Sequence, residues 1–170
     1  MKKQLSHEQS RFKKEERPII LILDNVSGEA NIGSIFRLAD AFGIEKIVFC
    51  GTYPNLSSNR LKRTARNTHE YVIFEVFEHT KEAVEGYKDQ GYTPFALEIT
   101  AESTALESAD FKELSKISLV IGNEANGIQE EVLSLCKKVI HIEMFGNNSS
   151  MNVAQATAIA LYEIRKNVRL

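Results

Sequence analysis

Residues 142–164, IEMFGNNSSMNVAQATAIALYEI, begin like the end of a strand, pass through a polar turn and continue as a helix. The turn at 146–150 is made of small, turn-forming residues, whose Asn and Ser side chains either cap the helix or bind a ligand. The helix places one set of residues on a single face by steps of three and four: Val153, Ala156, Thr157, Ala160, Leu161 and Ile164. This arrangement favours either a ligand site at a strand-to-helix turn of an α/β protein or an ordinary capped helix.

The composition indicates a single globular domain. The chain has 170 residues, of which 43% are hydrophobic and 26% charged, with a net charge of -2. Such a balance does not by itself demand a nucleic-acid partner. The charge is uneven, however, because residues 1–17 carry six Lys and Arg against three Glu. We therefore predict a basic N-terminal arm over 1–17 and one domain over 18–170.

Several classes of protein are disfavoured by simple counts. The two Cys and four His have no metal-ligand spacing, so we expect reduced, structural thiols and no metal. The N-terminus is charged and resembles no secretory signal, and no apolar run approaches the roughly 20 residues that a membrane helix needs. These features predict a cytoplasmic protein with no membrane partner.

Strand-like and helix-like segments alternate along the chain. The apolar run 18–23 predicts a strand buried on both faces, and a turn-rich loop is predicted over 24–33. A helix ending at Gly43 follows, and further strands are predicted over 46–50, 71–76, 93–98, 117–121 and 139–142, with a short helix over 110–114. Pro94 suits the start of a strand or an edge strand. The pattern predicts an α/β three-layer sandwich with a mostly parallel sheet of about six strands.

Three predicted strand-to-helix junctions are polar and rich in glycine. They cover residues 31–37, 122–127 and 146–152. In a parallel sheet such junctions lie at the carboxyl ends of the strands, where ligands bind. None of them has the GxGxxG or GK[ST] pattern of a phosphate cradle, which disfavours a Rossmann-type nucleotide-binding protein.

The same junctions resemble the motifs of the SPOUT-class RNA methyltransferases of the SpoU/TrmH type. Residues 31–37 (NIGSIFR), with Ala39 and 41–43 (AFG), resemble the first motif, and 122–124 (GNE) with Gly127 resemble the second. The third motif is matched by Ile142, Met144, Gly146 and residues 150–153 (SMNV). The chain departs at Glu143, where the family usually has Pro, and at Met151, where it usually has Leu and where volume is conserved.

The resemblance implies an S-adenosyl-L-methionine-dependent methyltransferase that acts on a ribose 2′-hydroxyl of RNA. It also implies a C-terminal trefoil knot and a homodimer built through the C-terminal helix. That helix carries a second apolar strip made of Ala154, Ala158, Ile159 and Tyr162. The chain resembles the short members of the family, and for this reason tRNA is favoured over rRNA as the substrate.

The resemblance also implies roles for individual residues. The cofactor would contact Gly122, Ile142 and Met151, with Leu97 at a neighbouring strand end. The residues implied at the chemistry are Arg37, Asn31, Glu124, Ser150 and Asn152, and we expect Arg37 to converge with the turns at Gly122 and Ser150. Arg37 would grip a phosphate or the ribose and stabilise developing alkoxide charge, because a guanidinium stays protonated in proteins. The basic run Arg60, Lys62, Arg63 and Arg66, together with the N-terminal arm, would contact RNA phosphates.

Alternatives remain for each assignment. Asn31, Ser150 and Asn152 could be helix caps, Glu124 could compensate a helix dipole, and Ile142 and Met151 could be core residues. Arg37 and the basic run could be solvated surface residues. Two other functions also stay open: a non-catalytic RNA-binding protein with the same fold, and an α/β enzyme that uses another nucleotide.

Overall fold

A computed structural model describes residues 12–167, and these residues form one open sheet flanked by helices. The strands are β1 Arg17–Asp24, β2 Ile44–Cys50, β3 Phe74–Phe77, β4 Thr93–Leu97, β5 Thr104–Ala105, β6 Ile117–Gly122 and β7 Lys138–His141. The helices are α1 Glu29–Phe42, α2 Asn59–Ala65, α3 Thr80–Asp89, α4 Glu130–Leu135 and α5 Val153–Asn167. In this described part of the chain the sheet order is β3-β2-β1-β6-β4-β7-β5 and every strand pair is parallel.

The core lies on both faces of the sheet. Along β1, Leu21 and Leu23 pack into a cluster that includes residues of α1 and α5. The alternate residues Ile20 and Ile22 pack into a second cluster with residues of α3 and α4. A strand covered on both sides reads as a continuous apolar run, as the sequence does at 18–23. The predicted three-layer α/β sandwich is confirmed.

Helix α1 begins earlier than the sequence predicts. The segment 24–33 is a loop only as far as Gly28, whose extended backbone precedes the first helical residue, Glu29. The junction 31–37 is therefore helical. Glu29 suits a first helical turn because its charge opposes the helix dipole. The buried face made by Ile32, Ile35 and Phe36 stabilises this part of the helix by packing.

Other boundaries also differ from the prediction. The strand expected over 71–76 begins only at Phe74, because Tyr71 and Val72 donate backbone hydrogen bonds to the Thr68 carbonyl in a 3₁₀ turn. Residues 110–114 form a turn, and a 3₁₀ helix occurs instead at Leu106–Ser108. The two-residue strand β5 raises the count above the predicted six. Pro94 lies at the start of β4, which is an interior strand.

Two negative findings apply to residues 12–167. No helix there is both long and apolar enough to cross a membrane. The same residues contain no group of three His, Cys, Asp or Glu side chains able to hold a metal ion. Cys50 and Cys136 are free thiols. Within the predicted basic arm, residues 1–11 lie outside the described part of the chain, and Arg17 is the first residue of β1.

Gly33 allows α1 and α2 to pack with their backbones in close approach. A Cβ on Gly33 would lie 2.1 Å from Thr64 Oγ1 and 2.3 Å from the Leu61 carbonyl oxygen. Real side chains do not tolerate such distances, and a backbone oxygen cannot rotate away. The glycine of the first motif is therefore needed for helix packing.

We predict that Gly33→Ala lowers the free energy of unfolding by about 2 kcal/mol, because the added methyl group forces α2 away from α1. Gly86→Ala is the matched control, since Gly86 lies in α3 and a Cβ added there would have no atom within 4 Å. That change should stabilise the protein by roughly 0.5–1 kcal/mol through helix propensity. Urea denaturation measures both, and equal effects of the two substitutions would contradict the packing explanation.

Candidate active site

The carboxyl ends of three adjacent strands, β6, β4 and β7, border a cleft of about 1020 Å³. All four residues predicted to bind the cofactor line it: Leu97, Gly122, Ile142 and Met151. Three of the residues predicted at the chemistry line it as well: Glu124, Ser150 and Asn152. The second and third polar junctions therefore meet at one edge of the sheet, as parallel strands require.

The second junction forms a tight backbone turn. A Cβ on Gly122 would lie 2.5 Å from the Gly127 carbonyl carbon and 2.7 Å from the Ile128 nitrogen, so only glycine fits. Within the turn, Asn123 Oδ1 accepts hydrogen bonds from the backbone N–H groups of Ala125 at 2.9 Å and Asn126 at 3.2 Å. The cleft wall is thus built from backbone held in one conformation.

Glu98 is a residue of this site that the sequence reasoning missed. It follows β4, lines the cleft, and its Oε2 accepts a hydrogen bond from the Ile128 N–H at 3.2 Å. A Cβ on Gly127 would lie 2.6 Å from the same oxygen, and Gly127 itself has φ +66. Glu98 therefore holds the far side of the second junction. Its signal in the sequence was a carboxylate at the last position of a predicted strand of a parallel sheet.

Asp24, also missed, is a buried anchor at the end of β1. The residue is 1% exposed. Its Oδ1 accepts hydrogen bonds from Asn25 Nδ2 at 2.8 Å, Thr80 Oγ1 at 2.6 Å and Gln129 Nε2 at 3.0 Å. Its Oδ2 accepts from the Gln129 backbone N–H at 3.0 Å. The carboxylate thus ties β1 to the beginnings of α3 and α4.

The environment of Asp24 also affects a neighbouring thiol. Burial raises the pKa of Cys50 to about 12, with a smaller increase from the Asp24 carboxylate and an opposing effect of the Thr80 hydroxyl. A thiol with so high a pKa stays protonated at neutral pH and is a poor nucleophile. Cys50 is accordingly a structural residue, as the sequence predicted.

A relay of amides and one carboxylate joins the three motifs. Asn152 Nδ2 donates to Asn31 Oδ1 at 2.9 Å, and Asn31 Nδ2 donates to Glu124 Oε1. Asn31 lies within α1, so the interpretation of it as a loop-to-helix cap is wrong. Glu124 precedes α4 by several residues, which removes the interpretation as dipole compensation in that helix.

Asn152 has two functions in this geometry. Besides the bond to Asn31, its Oδ1 accepts the N–H groups of Ala154 at 3.0 Å and Gln155 at 3.3 Å. It therefore caps α5 while its amide nitrogen connects that helix to α1. Ser150 is exposed and makes no hydrogen bond within residues 12–167, so it is available to a ligand.

Arg37 is not among the residues that line the cleft. It lies six residues beyond Asn31 on α1, which displaces it about 9 Å along the axis and rotates it about 120° from the relay. Its side chain is exposed and makes no ion pair or hydrogen bond within the described chain. Gly122 and Ser150 both line the cleft, as expected, but Arg37 does not join them there.

The basic run forms an exposed face of α2. Arg60, Lys62, Arg63 and Arg66 are all exposed, and none of them pairs with an acidic side chain in the part of the protein that the structure describes. Ser58 Oγ caps this helix by accepting from the Arg60 and Leu61 N–H groups. The same hydroxyl donates to Glu29 Oε2 at 2.5 Å, which joins the beginnings of α1 and α2.

We predict that Asn152→Ala lowers the free energy of unfolding by about 1 kcal/mol, because α5 loses its cap. Asn152→Ser supplies a capping oxygen but cannot reach Asn31, and it should cost only a few tenths of a kcal/mol. Urea denaturation of the two variants separates the cap from the relay. Equal losses would mean that the bond to Asn31, and not the cap, stabilises the start of α5.

Comparison with known proteins agrees with this geometry. The model of the SpoU rRNA methylase family matches residues 18–162. A tRNA (guanosine(18)-2′-O)-methyltransferase of Aquifex aeolicus is 27% identical over 98% of this chain and 77% of its own length.

Solved structures share the fold. The crystal structure of an A. aeolicus TrmH/SpoU tRNA modifying enzyme has a TM-score of 0.80 and 27% identity, covering 91% of this chain and 77% of that one. An AdoMet-bound rRNA methyltransferase from Sinorhizobium meliloti has a TM-score of 0.81 and 26% identity, covering 91% of this chain and 58% of that one. The match spans nearly the whole chain and all three motifs, and the chain belongs to the SpoU rRNA methylase family.

Proposed function

We propose that this protein transfers a methyl group from S-adenosyl-L-methionine to a ribose 2′-hydroxyl of RNA, with tRNA favoured over rRNA as the substrate. The observation that carries the proposal is the cleft that Leu97, Gly122, Ile142 and Met151 line together. Its volume of about 1020 Å³ suits a nucleoside-sized ligand. The preference for tRNA is supported by the tRNA methyltransferases among the relatives.

The residues of the cleft fit the proposed cofactor. The Gly122 turn brings backbone donors and acceptors close to the ligand, while Ile142 and Met151 offer apolar surface to its adenosine and methionine parts. When bound, S-adenosyl-L-methionine supplies a methyl group on a sulfonium, so the reaction requires neither a metal nor a covalent enzyme intermediate. The chain must orient the hydroxyl in line with that group and accommodate its proton.

Arg37 is proposed to bind a phosphate or the ribose and to stabilise charge on the attacking oxygen. A guanidinium is a poor general base because it stays protonated, but it forms strong charge-assisted bonds to oxyanions. The exposed Arg37 side chain has no partner within residues 12–167 that would have to be displaced by RNA. This freedom supports a role in binding the substrate, while the proposed place at the chemistry rests on the family resemblance.

The polar relay is proposed to position the substrate. Glu124 orients the amide of Asn31, and Asn152 fixes its other end, so the Asn31 side chain cannot flip without losing both bonds. Ser150, which lines the cleft and is exposed, is the candidate of this group for a direct bond to the ribose.

RNA phosphates are proposed to bind the basic face of α2 and the N-terminal arm. Contacts of this kind supply affinity that falls with salt and carries little sequence information. The four cations of α2 lack acidic partners in the described chain, so their charge is available to RNA. The N-terminal arm adds further basic residues at positions 1–17.

We further propose a homodimer through α5, a C-terminal trefoil knot and a cytoplasmic location. Ile159 and Tyr162 on α5 are 43% and 63% exposed, and they form the unburied part of the second apolar strip. Ala158, which is half-buried, leaves room beside them for a second helix to approach, whereas Ala154 is buried in the core of the same chain. A pair of such faces, one from each copy, would cover both strips.

Calorimetry and nucleoside analysis test the function directly. The protein should bind S-adenosyl-L-methionine in preference to ATP and NAD. Incubation with tRNA should produce ribose-methylated nucleosides detectable by mass spectrometry, with rRNA as the comparison substrate. If the protein binds the cofactor and RNA but methylates neither tRNA nor rRNA, the result would favour the non-catalytic alternative. Tighter binding of ATP or NAD would favour an enzyme that uses a different nucleotide.

We predict that Arg37→Ala lowers the rate of methyl transfer by at least about 100-fold, because the developing oxyanion loses its charged partner. Cofactor affinity by calorimetry should stay unchanged, since Arg37 does not line the cleft. Asp40→Ala, an exposed change on the same helix, is the control and should keep full activity. A loss of folding or of cofactor binding in Arg37→Ala would make Arg37 a structural residue.

We also predict that Ile159→Arg combined with Tyr162→Arg converts a dimer into a monomer, because charges would replace apolar surface in the α5 interface. Tyr71→Arg is the control, since Tyr71 is 60% exposed and lies just before the edge strand β3 and not on α5. Sedimentation equilibrium measures the mass of each variant. If the double variant keeps the mass of the unmodified protein, the dimer does not use this face.

A further inference from the structure

Tyr53 exposes an aromatic ring at the edge of the sheet that carries the active site. It lies in the loop 51–58, which leaves the carboxyl end of β2 and leads into α2. The residue is 77% exposed, and its ring contacts no other aromatic ring within the described residues. A single exposed ring is common on protein surfaces, so the case for a function rests on where Tyr53 lies.

The loop that carries Tyr53 is fixed on both sides. Two residues before Tyr53, Gly51 has φ +68, and a Cβ there would lie 2.2 Å from Asn25 Oδ1. Immediately after it Pro54 is buried, and Asn55 Nδ2 donates to Glu29 Oε1 at 3.3 Å. A ring presented from an anchored loop loses little further conformational freedom when it binds a partner.

The position of the ring relates it to the cleft. Strands β2 and β6 are separated only by β1, which places their carboxyl ends about 10 Å apart at the usual spacing of strands. Gly122, at the end of β6, lines the cleft. On the other side of Tyr53, the same loop leads directly into the exposed cations of α2. Tyr53 thus lies in the loop that joins the basic face of α2 to a strand end two strands away from Gly122.

We propose that Tyr53 stacks on an unpaired base of the substrate RNA that flanks the methylated nucleotide. The inference rests on the proposed function, since it assumes that RNA spans the distance from the cleft to α2. Phosphates on the cations of α2 would place the adjacent bases over the ring, and a flat aromatic side chain stacks on any base. Stacking needs a base that is free of its duplex, so the bound segment is single-stranded.

The charges near the Tyr53 loop favour RNA, and not an apolar protein surface, as the partner of the ring. The cations Arg60, Lys62 and Arg63 follow the loop within a few residues, and they lack acidic partners in the described chain. The acidic group that contacts the loop, Glu29, is held by Asn55 and Ser58. A single ring beside several free cations fits a nucleic-acid strand.

Fluorescence anisotropy with short labelled oligoadenylate tests the proposal without requiring methyl transfer. Tyr53→Ala should weaken binding about 10-fold, whereas Tyr53→Phe, which keeps the ring, should bind like the unmodified protein. An RNA duplex of the same length should bind the unmodified protein and Tyr53→Ala equally. Tyr71→Ala is the matched control, because Tyr71 is also an exposed tyrosine but lies before the amino end of β3. It should leave the affinities for oligoadenylate and for duplex RNA unchanged.

A second readout uses the absence of tryptophan from the sequence, which leaves tyrosine emission observable. Stacking should quench part of that emission when oligoadenylate binds, and Tyr53→Phe should remove this part while affinity is retained. Unchanged affinity in Tyr53→Ala, an equal loss in Tyr71→Ala, or an equal loss for duplex RNA would each overturn the proposal. Because these are binding measurements, a protein without transferase activity can still pass them, which separates the two hypotheses.

Discussion

The active-site edge depends on one buried charge, the Asp24 carboxylate at the end of the central strand β1. A carboxylate removed from water costs several kcal/mol unless hydrogen bonds replace its hydration. Four donors supply them here, from Asn25, Thr80 and both the side chain and backbone of Gln129. Three of these donors come from Thr80 and Gln129, at the beginnings of α3 and α4, so satisfying the charge requires that both helices begin where they do.

A series of hydrogen bonds connects the Asp24 region to the cleft. Asn25 follows Asp24 in the left-handed region at φ 55, and its carbonyl accepts a hydrogen bond from Asn123 Nδ2 at 2.9 Å. Asn123 in turn organises the turn that ends at Gly127, where Glu98 holds the far side. One wall of the cleft is therefore rigid. The opposite wall comes from the exposed turn 146–150, whose glycine has open space around it. A ligand therefore meets one wall held by hydrogen bonds and one wall made of an exposed turn.

Much of this architecture could be predicted from the sequence, for physical reasons. The apolar runs at 18–23 and 117–121 are strands because both of their faces are covered. That the four proposed cofactor positions line one cleft could be expected, because Gly122 and Ile142 lie in motifs that follow strands, Leu97 ends a neighbouring strand, and parallel strands end at one edge. What was missed depends on contacts between distant residues. Asp24 and Gln129 are 105 positions apart, and nothing local in the sequence marks either as a partner.

The placement of the first motif was the least predictable part. Its Gly, Asn and Ser residues favour a loop by composition, yet packing of Ile32, Ile35 and Phe36 makes it a helix. Once the segment is helical, Asn31 and Arg37 must lie on different sides of it. The relay and the guanidinium that sequence resemblance groups together are therefore separated by helix geometry.

The contact at Gly33 has a mechanical consequence. Because Gly33 has no side chain, α1 approaches the Leu61 carbonyl and Thr64 of α2 closely, and Glu29 ties the beginnings of the two helices through Ser58. Neither helix can shift against the other without breaking that contact. The face of α2 that is proposed to bind RNA and the helix that carries Asn31 and Arg37 therefore form one mechanical unit, whose parts keep their relative position when either is loaded.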